Sequence, residues 1–222
     1  MRLQWMYSLT LAGCLAGIVL GQNAHAQLVN GSFETGSYVF DSNGADSLPS
    51  GSGVITGWTT ISNELAVINN ANNFGITAQN GTFSLDLTGY HDSAPYGGIQ
   101  QTVNTLPGQN YTLSFFLGAV GNASSVSVDT GVGAPQTFTN PGTGAFWVVQ
   151  TENFTASGPT VLTFTGAAAS NGNYIGLDNI TLTGSFATAT PEPGSMALLG
   201  TSGISLAGLL AARRRRAKKP SA

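Results

Sequence analysis

The central part of this sequence predicts an all-β protein, an antiparallel β-sandwich or jelly roll, and three observations predict it. Apolar residues recur at period two in many short runs, the mark of half-buried strands. Asn-Gly and Pro-Gly pairs punctuate those runs. No stretch of the central sequence carries a convincing amphipathic helix.

In chain order, strands are expected near residues 28–33, 53–60, 64–68, 82–88, 97–104, 110–118, 124–129, 135–139, 146–156, 160–166 and 173–183. Phe83, Leu85 and Leu87 alternate with Ser84, Asp86 and Thr88; Tyr111, Leu113, Phe115 and Leu117 alternate with Thr112, Ser114 and Phe116; Leu162 and Phe164 repeat the pattern. Turns fall at Asn30-Gly31, Asn43-Gly44, Asn80-Gly81, Pro107-Gly108 and Asn171-Gly172, where Asn and Gly tolerate positive φ and Pro fixes the first turn position. The last strand changes phase: Ile175 and Leu177 are apolar on odd numbers, Ile180 and Leu182 on even ones. Such a slip marks a β-bulge at Asp178-Asn179, and the bulge would re-aim Asp178. Trp58 and Trp147 are expected to pack in the core or at its edge, as large rings in strands do.

Charge narrows the function. The 222 residues carry 7 Lys+Arg and 10 Asp+Glu, but every base lies at Arg2 or from Arg213 onward. Residues 27–190 hold Glu34, Asp41, Asp46, Glu64, Asp86, Asp92, Asp129, Glu152 and Asp178 and no Lys or Arg, a formal charge of −9. A region without a base cannot neutralise phosphates, which excludes nucleic acid and anionic headgroups as its partners. Nucleophilic catalysis is poorly supplied, because His91 is the one histidine of this region and neither Cys nor Lys is present in it. A non-catalytic protein is therefore expected. A glycosidase pair of carboxylates is the enzymatic alternative.

The two ends read as addresses. Arg2, an apolar run from Leu9 to Leu20 and Ala24-His25-Ala26 before Gln27 form a secretory signal peptide over residues 1–26, cut by signal peptidase between Ala26 and Gln27. Leu11-Ala12-Gly13-Cys14 offers a lipobox as the alternative. The domain then runs over 27–186, a linker over 187–195, an uncharged transmembrane helix over 196–212 and a basic cytoplasmic tail over 213–222. Seventeen residues at a 1.5 Å rise span about 25 Å, enough to cross a bilayer thinly. Arg213, Arg214, Arg215 and Arg216 mark the cytoplasmic end, so the domain before Pro191 is expected on the far side of the membrane. A buried C-terminal helix is the alternative.

The order Pro191-Glu192-Pro193, apolar span, tetra-arginine resembles the PEP-CTERM sorting signal of Gram-negative bacteria. Thr190 stands where that signal often has Val. The resemblance implies recognition by exosortase, transient anchoring in the inner membrane, and display or release at the surface of a bacterium that makes exopolysaccharide. The two prolines hold the tripeptide extended, as a protease cleft requires.

A second resemblance covers nearly all of residues 28–184. Leu28-Val-Asn-Gly-Ser-Phe-Glu34, Leu48-Pro-Ser-Gly51, Ile55-Thr-Gly-Trp58, Ser84-Leu-Asp-Leu-Thr-Gly89, Gly97-Gly-Ile-Gln-Gln-Thr102, Leu106-Pro-Gly-Gln-Asn-Tyr-Thr112 and Gly176-Leu-Asp-Asn-Ile180 are similar to the bacterial choice-of-anchor C family. That family is akin to plant cell-wall proteins with galactose-binding-like domains and to carbohydrate-binding modules of jelly-roll shape. The resemblance implies that fold and, at Glu34 and Asp178, a structural Ca²⁺ joining the first strand to the last. The alternative for those two acids is a pair of solvated edge carboxylates.

Sugar binding needs aromatic faces and a few aimed polar groups. Tyr90, His91, Asp92 and Tyr96 supply these within one loop and form the candidate ligand site, with extracellular polysaccharide as the partner. A surface loop whose tyrosines pack on the sandwich edge is the alternative, and a purely structural envelope or matrix protein the alternative function.

Overall fold

The computed structural model describes residues 28–143, 146–169 and 174–184. Eleven strands follow one another: β1 (Ala45–Leu48), β2 (Thr59–Ser62), β3 (Leu65–Asn69), β4 (Phe83–Asp86), β5 (Gly97–Val103), β6 (Asn110–Gly118), β7 (Ser124–Asp129), β8 (Gln136–Asn140), β9 (Trp147–Thr155), β10 (Thr160–Ala169) and β11 (Gly176–Gly184). A single 3-10 turn, Gly89–His91, is the one helical element among the described residues. Six strands form a sheet in the order β1-β3-β4-β11-β6-β9, and five form a second in the order β2-β5-β10-β7-β8. Every pairing between these strands is antiparallel.

The sandwich follows from the alternation. Leu85 and Leu87, Leu113, Phe115 and Leu117, and Leu162 and Phe164 are all buried in one core between the sheets. The Phe115 ring meets Phe164 and Phe138 edge-on at centroid distances of 5.2 and 5.3 Å, the arrangement that ring quadrupoles favour. Tyr111 closes one end of the core. Its hydroxyl accepts the Leu106 N–H at 2.9 Å, so the Leu106–Tyr111 turn is tied to the start of β6. Trp58 is buried as expected, with its indole N–H donating to the Asn30 carbonyl at 3.0 Å.

Two expectations about strands change. Residues 28–33 are no strand, because Asn30 and Phe33 take φ of 54° and 61°, a left-handed geometry that interrupts an extended ladder. The Gln101 side chain holds this segment instead, accepting from Val29 N–H and donating to Val29 O, which copies the pairing a strand would make. Conversely, β1 carries no strand signature in the sequence. Its two buried residues, Ala45 and Leu48, stand three apart, and Asp46 and Ser47 between them are half-buried, so no period-two pattern is visible. The run expected at 53–60 starts late, as β2, because Gly57 at φ 85° turns the chain just before it.

The bulge in the last strand is present. The β11–β6 register jumps between Asp178 and Thr181, and Asn179 takes φ 49°. Asp178 stands opposite Phe116 on the face away from the main core, yet it is fully buried beneath the Gln79-Asn80 backbone.

The two outer faces differ. On the five-stranded sheet the register aligns Thr59, Gln100, Thr163 and Asp129 in a polar row. The six-stranded sheet carries a second apolar cluster, Ala45, Ala66, Ile68, Ile76 and Tyr174 with Phe146, outside the main core. Among the described residues no helix is long and apolar enough to cross a membrane. The signal peptide with its cleavage site, the linker, the expected span at 196–212 and the basic tail lie outside the described residues.

Candidate functional site

The apolar outer cluster forms the floor of a cleft of about 290 Å³, near the lower end of the size of small-molecule sites. Ala45 of β1, Ala66 and Ile68 of β3 and Ile76 line it, and Phe74 and Val120, both exposed, rim it. Asp86, Tyr90, Asp92 and Tyr174 add the polar groups.

Antiparallel pairing places these residues. Ala66 is opposite Asp86, and Asp86 is opposite Gly176, so the carboxyl stands between an apolar strand and a bare backbone. Its Oδ1 accepts from Thr88 N–H at 2.9 Å, Thr88 Oγ1 at 2.8 Å and Ile175 N–H at 3.2 Å. Burial pushes its pKa up to about 7 against those three donors, and the Asp92 carboxylate adds to the rise. At neutral pH the group is therefore divided between a hydrogen-bond donor and an anion. Among the described residues, the buried hydroxyls of Tyr174 and Ser84 find no hydrogen-bond partner.

The loop after β4 brings two of the four expected residues to this cleft. Tyr90 is 47% exposed on the rim, and its hydroxyl donates to Asp41 Oδ2 at 2.6 Å. Asp92 caps the 3-10 turn in a left-handed conformation and also lines the cleft. His91 and Tyr96 are placed elsewhere. His91 Nδ1 lies 3.0 Å from Glu64 Oε1, and Tyr96 packs half-buried against the main core. Glu64 anchors the whole turn: Oε1 also accepts from Tyr90 N–H at 2.8 Å and Oε2 from Ser47 Oγ at 2.8 Å. Burial resists its ionisation, but these donors outweigh that and hold its pKa below the usual range.

Sequence reasoning missed Asp86, Phe74 and Tyr174. Alternation places Asp86 on the face away from the core, where an acid reads as solvated. Only the covering of that face by residues 74–76 and Tyr174 makes it a buried group, and period-two patterning carries no trace of what covers a sheet.

Glu34 and Asp178 act together in a different way. Glu34 Oε1 accepts the N–H groups of Thr82 and Phe83, both at 2.9 Å. Asp178 Oδ2 accepts those of Gln79 and Asn80 at 2.8 and 2.9 Å, and its Oδ1 that of Asn179 at 2.6 Å. The pair thus clasps the turn around Asn80-Gly81. Burial pushes the Asp178 pKa up to about 7 against those N–H donors, and the Glu34 charge adds to it. Calcium needs six to eight oxygen ligands. Here five N–H dipoles occupy three of the four carboxylate oxygens, and among the described residues no three His, Asp, Glu or Cys side chains gather as a metal group. These residues do not fit a calcium shell in this arrangement, and the clasp works through backbone N–H groups.

Residues 26–176 match the family described as "Protein of unknown function (DUF642)". The chain belongs to this family. Residues 189–216 match the PEP-CTERM protein-sorting motif, so this DUF642 protein bears the exosortase address read from Pro191-Glu192-Pro193 and the arginine cluster. The motif implies export with transient membrane anchoring. A search of curated proteins finds no match. Among solved structures, the DUF642 chain is similar to TmCBM61 in complex with β-1,4-galactotriose, at 16% identity and a TM-score of 0.45, covering 72% of this chain and 99% of that one. It is similar to a family 35 carbohydrate-binding module from Clostridium thermocellum at 18% identity and a TM-score of 0.38, covering 62% and 97%. It is also similar to an exo-β-1,3-galactanase from Phanerochaete chrysosporium at 13% identity and a TM-score of 0.37, covering 68% of this chain and 28% of the enzyme.

Proposed function

We propose that this DUF642 protein is a non-catalytic, carbohydrate-binding protein of the exopolysaccharide or biofilm matrix of a Gram-negative bacterium, displayed or released after exosortase processing. One observation carries the reading: a cleft on the six-stranded sheet combines an apolar floor, the exposed rings of Phe74 and Tyr90, and the carboxyls of Asp86 and Asp92. Apolar and aromatic surface covers the C–H faces of a sugar ring, and carboxyl groups take its hydroxyls. With no Lys or Arg in residues 28–184, the cleft suits a neutral glycan better than an anionic one.

A glycan array tests this with wild type and the Tyr90→Ala and Asp92→Ala variants. Binding by wild type that falls in both variants supports the cleft. Absence of binding by wild type across neutral glycans favours a purely structural matrix protein.

One observation favours a second reading, a glycan-active hydrolase. Two carboxyls share the cleft, one of them, Asp86, poised near neutrality by burial, which is how an acid and a base are set apart in glycosidases. Asp86 Oδ1 is, however, occupied by three internal donors, and these give the carboxyl a structural task. Oligosaccharide turnover that disappears in Asp86→Asn would establish the hydrolase.

A further inference from the structure

A second cleft, of about 540 Å³, lies on the same outer face, lined by Phe116, Phe146, Trp147, Gln79 and the chain from Gly75 to Ala78. The two clefts share a wall. Residues 74–79 turn Phe74 and Ile76 toward the first and Gly75, Thr77, Ala78 and Gln79 toward the second. The Trp147 indole N–H fastens that wall by donating to Thr77 O at 2.9 Å.

The sheet beneath is shaped for flat rings. Asp86, Gly176, Gly118 and Trp147 stand in one row across β4, β11, β6 and β9. A Cβ at Gly176 would lie 2.6 Å from the Tyr174 ring, and one at Gly118 would lie 2.7 Å from the Trp147 ring. Neither ring could rest on the backbone if those positions held any other residue. Phe146 links the two, with centroids 5.2 Å from Trp147 and 5.6 Å from Tyr174. A continuous aromatic layer therefore runs from the first cleft to the second.

Gln79 supplies the aimed polar group. Its N–H is held by Asp178 Oδ2, and its side-chain Oε1 accepts from Asn179 Nδ2 at 2.7 Å. With the oxygen occupied, the amide NH₂ is the end left to donate. The β11 bulge thus has a purpose beyond packing: it turns Asp178 and Asn179 so that both fix Gln79 beside Trp147.

Resting on the carbohydrate-binding reading of the first cleft, we propose that the Trp147–Phe116–Gln79 cleft is a second sugar subsite and that the ligand is an oligosaccharide chain spanning both, not a single sugar. Trp147 and Phe116 supply the stacking surface, and the Gln79 amide donates to a ring or hydroxyl oxygen.

The test is titration calorimetry of the full chain in a sugar-free detergent, using the β-1,4-galactose and β-1,4-glucose series from one to four units. Wild type is expected to bind the tetramer of one series at least about tenfold more tightly than its monomer. Trp147→Ala and Gln79→Ala should each lose most of that increment and retain monomer binding, whereas Tyr90→Ala should weaken both. Retained monomer binding is itself the evidence that a variant is folded. Should Trp147→Ala unfold, the smaller change Gln79→Ala, at a half-buried side chain bonded to Asn179, decides alone. Equal affinity for monomer and tetramer, or an increment that survives both substitutions, overturns the second subsite and leaves the first standing. Failure of every sugar in both series overturns the two together.

Discussion

Asp86 makes the thermal stability of this domain depend on pH in an uncommon direction. Its ordinary pKa of 3.8 is raised to about 7 by burial, so between about pH 4 and 7 the folded protein holds a proton that the unfolded chain has released. Proton binding favours the folded state in that window, and stability falls as pH rises through it before levelling above 7. Three units at about 1.36 kcal/mol each give about 4 kcal/mol. The roughly 2.5 units that lie between pH 4.5 and 7 are worth about 3 kcal/mol, so at about 2–4 °C per kcal/mol for a domain of this size, Tm should drop by roughly 6–12 °C between pH 4.5 and 8. Asp178, raised to about 7 as well, adds in the same direction. Below pH 4 the trend reverses, because Asp41 and Glu64, whose pKa values are lowered, lose their stabilising charge as they protonate. Calorimetric melts from pH 3.5 to 8.5 read the profile. Asp86→Asn is the control, since an amide oxygen can accept from the same Thr88 and Ile175 donors without titrating. It should leave Tm near pH 5 little changed and raise it at pH 8. A wild-type Tm that is flat or rising from pH 5 to 8, together with an Asp86→Asn variant that loses stability throughout, would refute the reasoning.

Other outcomes follow from the same contacts. Asp178→Ala leaves three backbone N–H groups without their acceptor and should cost roughly 3 kcal/mol or more, read by urea denaturation; a loss under 1 kcal/mol would show that the clasp does not hold the 79–83 turn. Because N–H donors already occupy the Glu34 and Asp178 oxygens, a chelator should leave Tm unchanged, and a fall of several degrees would establish a bound divalent cation. Tyr90→Phe removes the 2.6 Å hydrogen bond to Asp41 and should release the rim, weakening glycan binding severalfold with little change in Tm. Trypsin should leave residues 27–212 uncut even when unfolded, since no Lys or Arg lies among them, and internal tryptic fragments in a mass spectrum would contradict that.

The sequence spoke clearly wherever one face of a strand met the core and the other met water. Residues 110–118 and 124–129 were legible to the residue, because Leu113, Phe115, Leu117, Val126 and Val128 alternate without interruption. The phase slip at Asp178 announced its bulge for the same reason. The pattern failed where side chains replaced backbone pairing, as Gln101 does for Val29, and where a strand such as Ala45–Leu48 is buried at both ends rather than on alternate residues. The candidate site was half legible. Tyr90 and Asp92 stand out as an aromatic and an acid in a loop, but His91 is diverted by Glu64. Asp86, Tyr174 and Trp147 acquire their roles only from residues 74–79 folding over the six-stranded sheet, a contact with no periodic signature.

The most direct measurement is amide chemical-shift mapping of the isotopically labelled protein titrated with a glycan that the array selects. Perturbations concentrated at residues 66–68, 74–76, 86 and 89–92, joined by 77–79, 116, 146 and 147 for a glycan long enough to reach the second cleft, are the predicted result. Perturbations confined to the polar row of the five-stranded sheet, at Thr59, Gln100, Thr163 and Asp129, would contradict it.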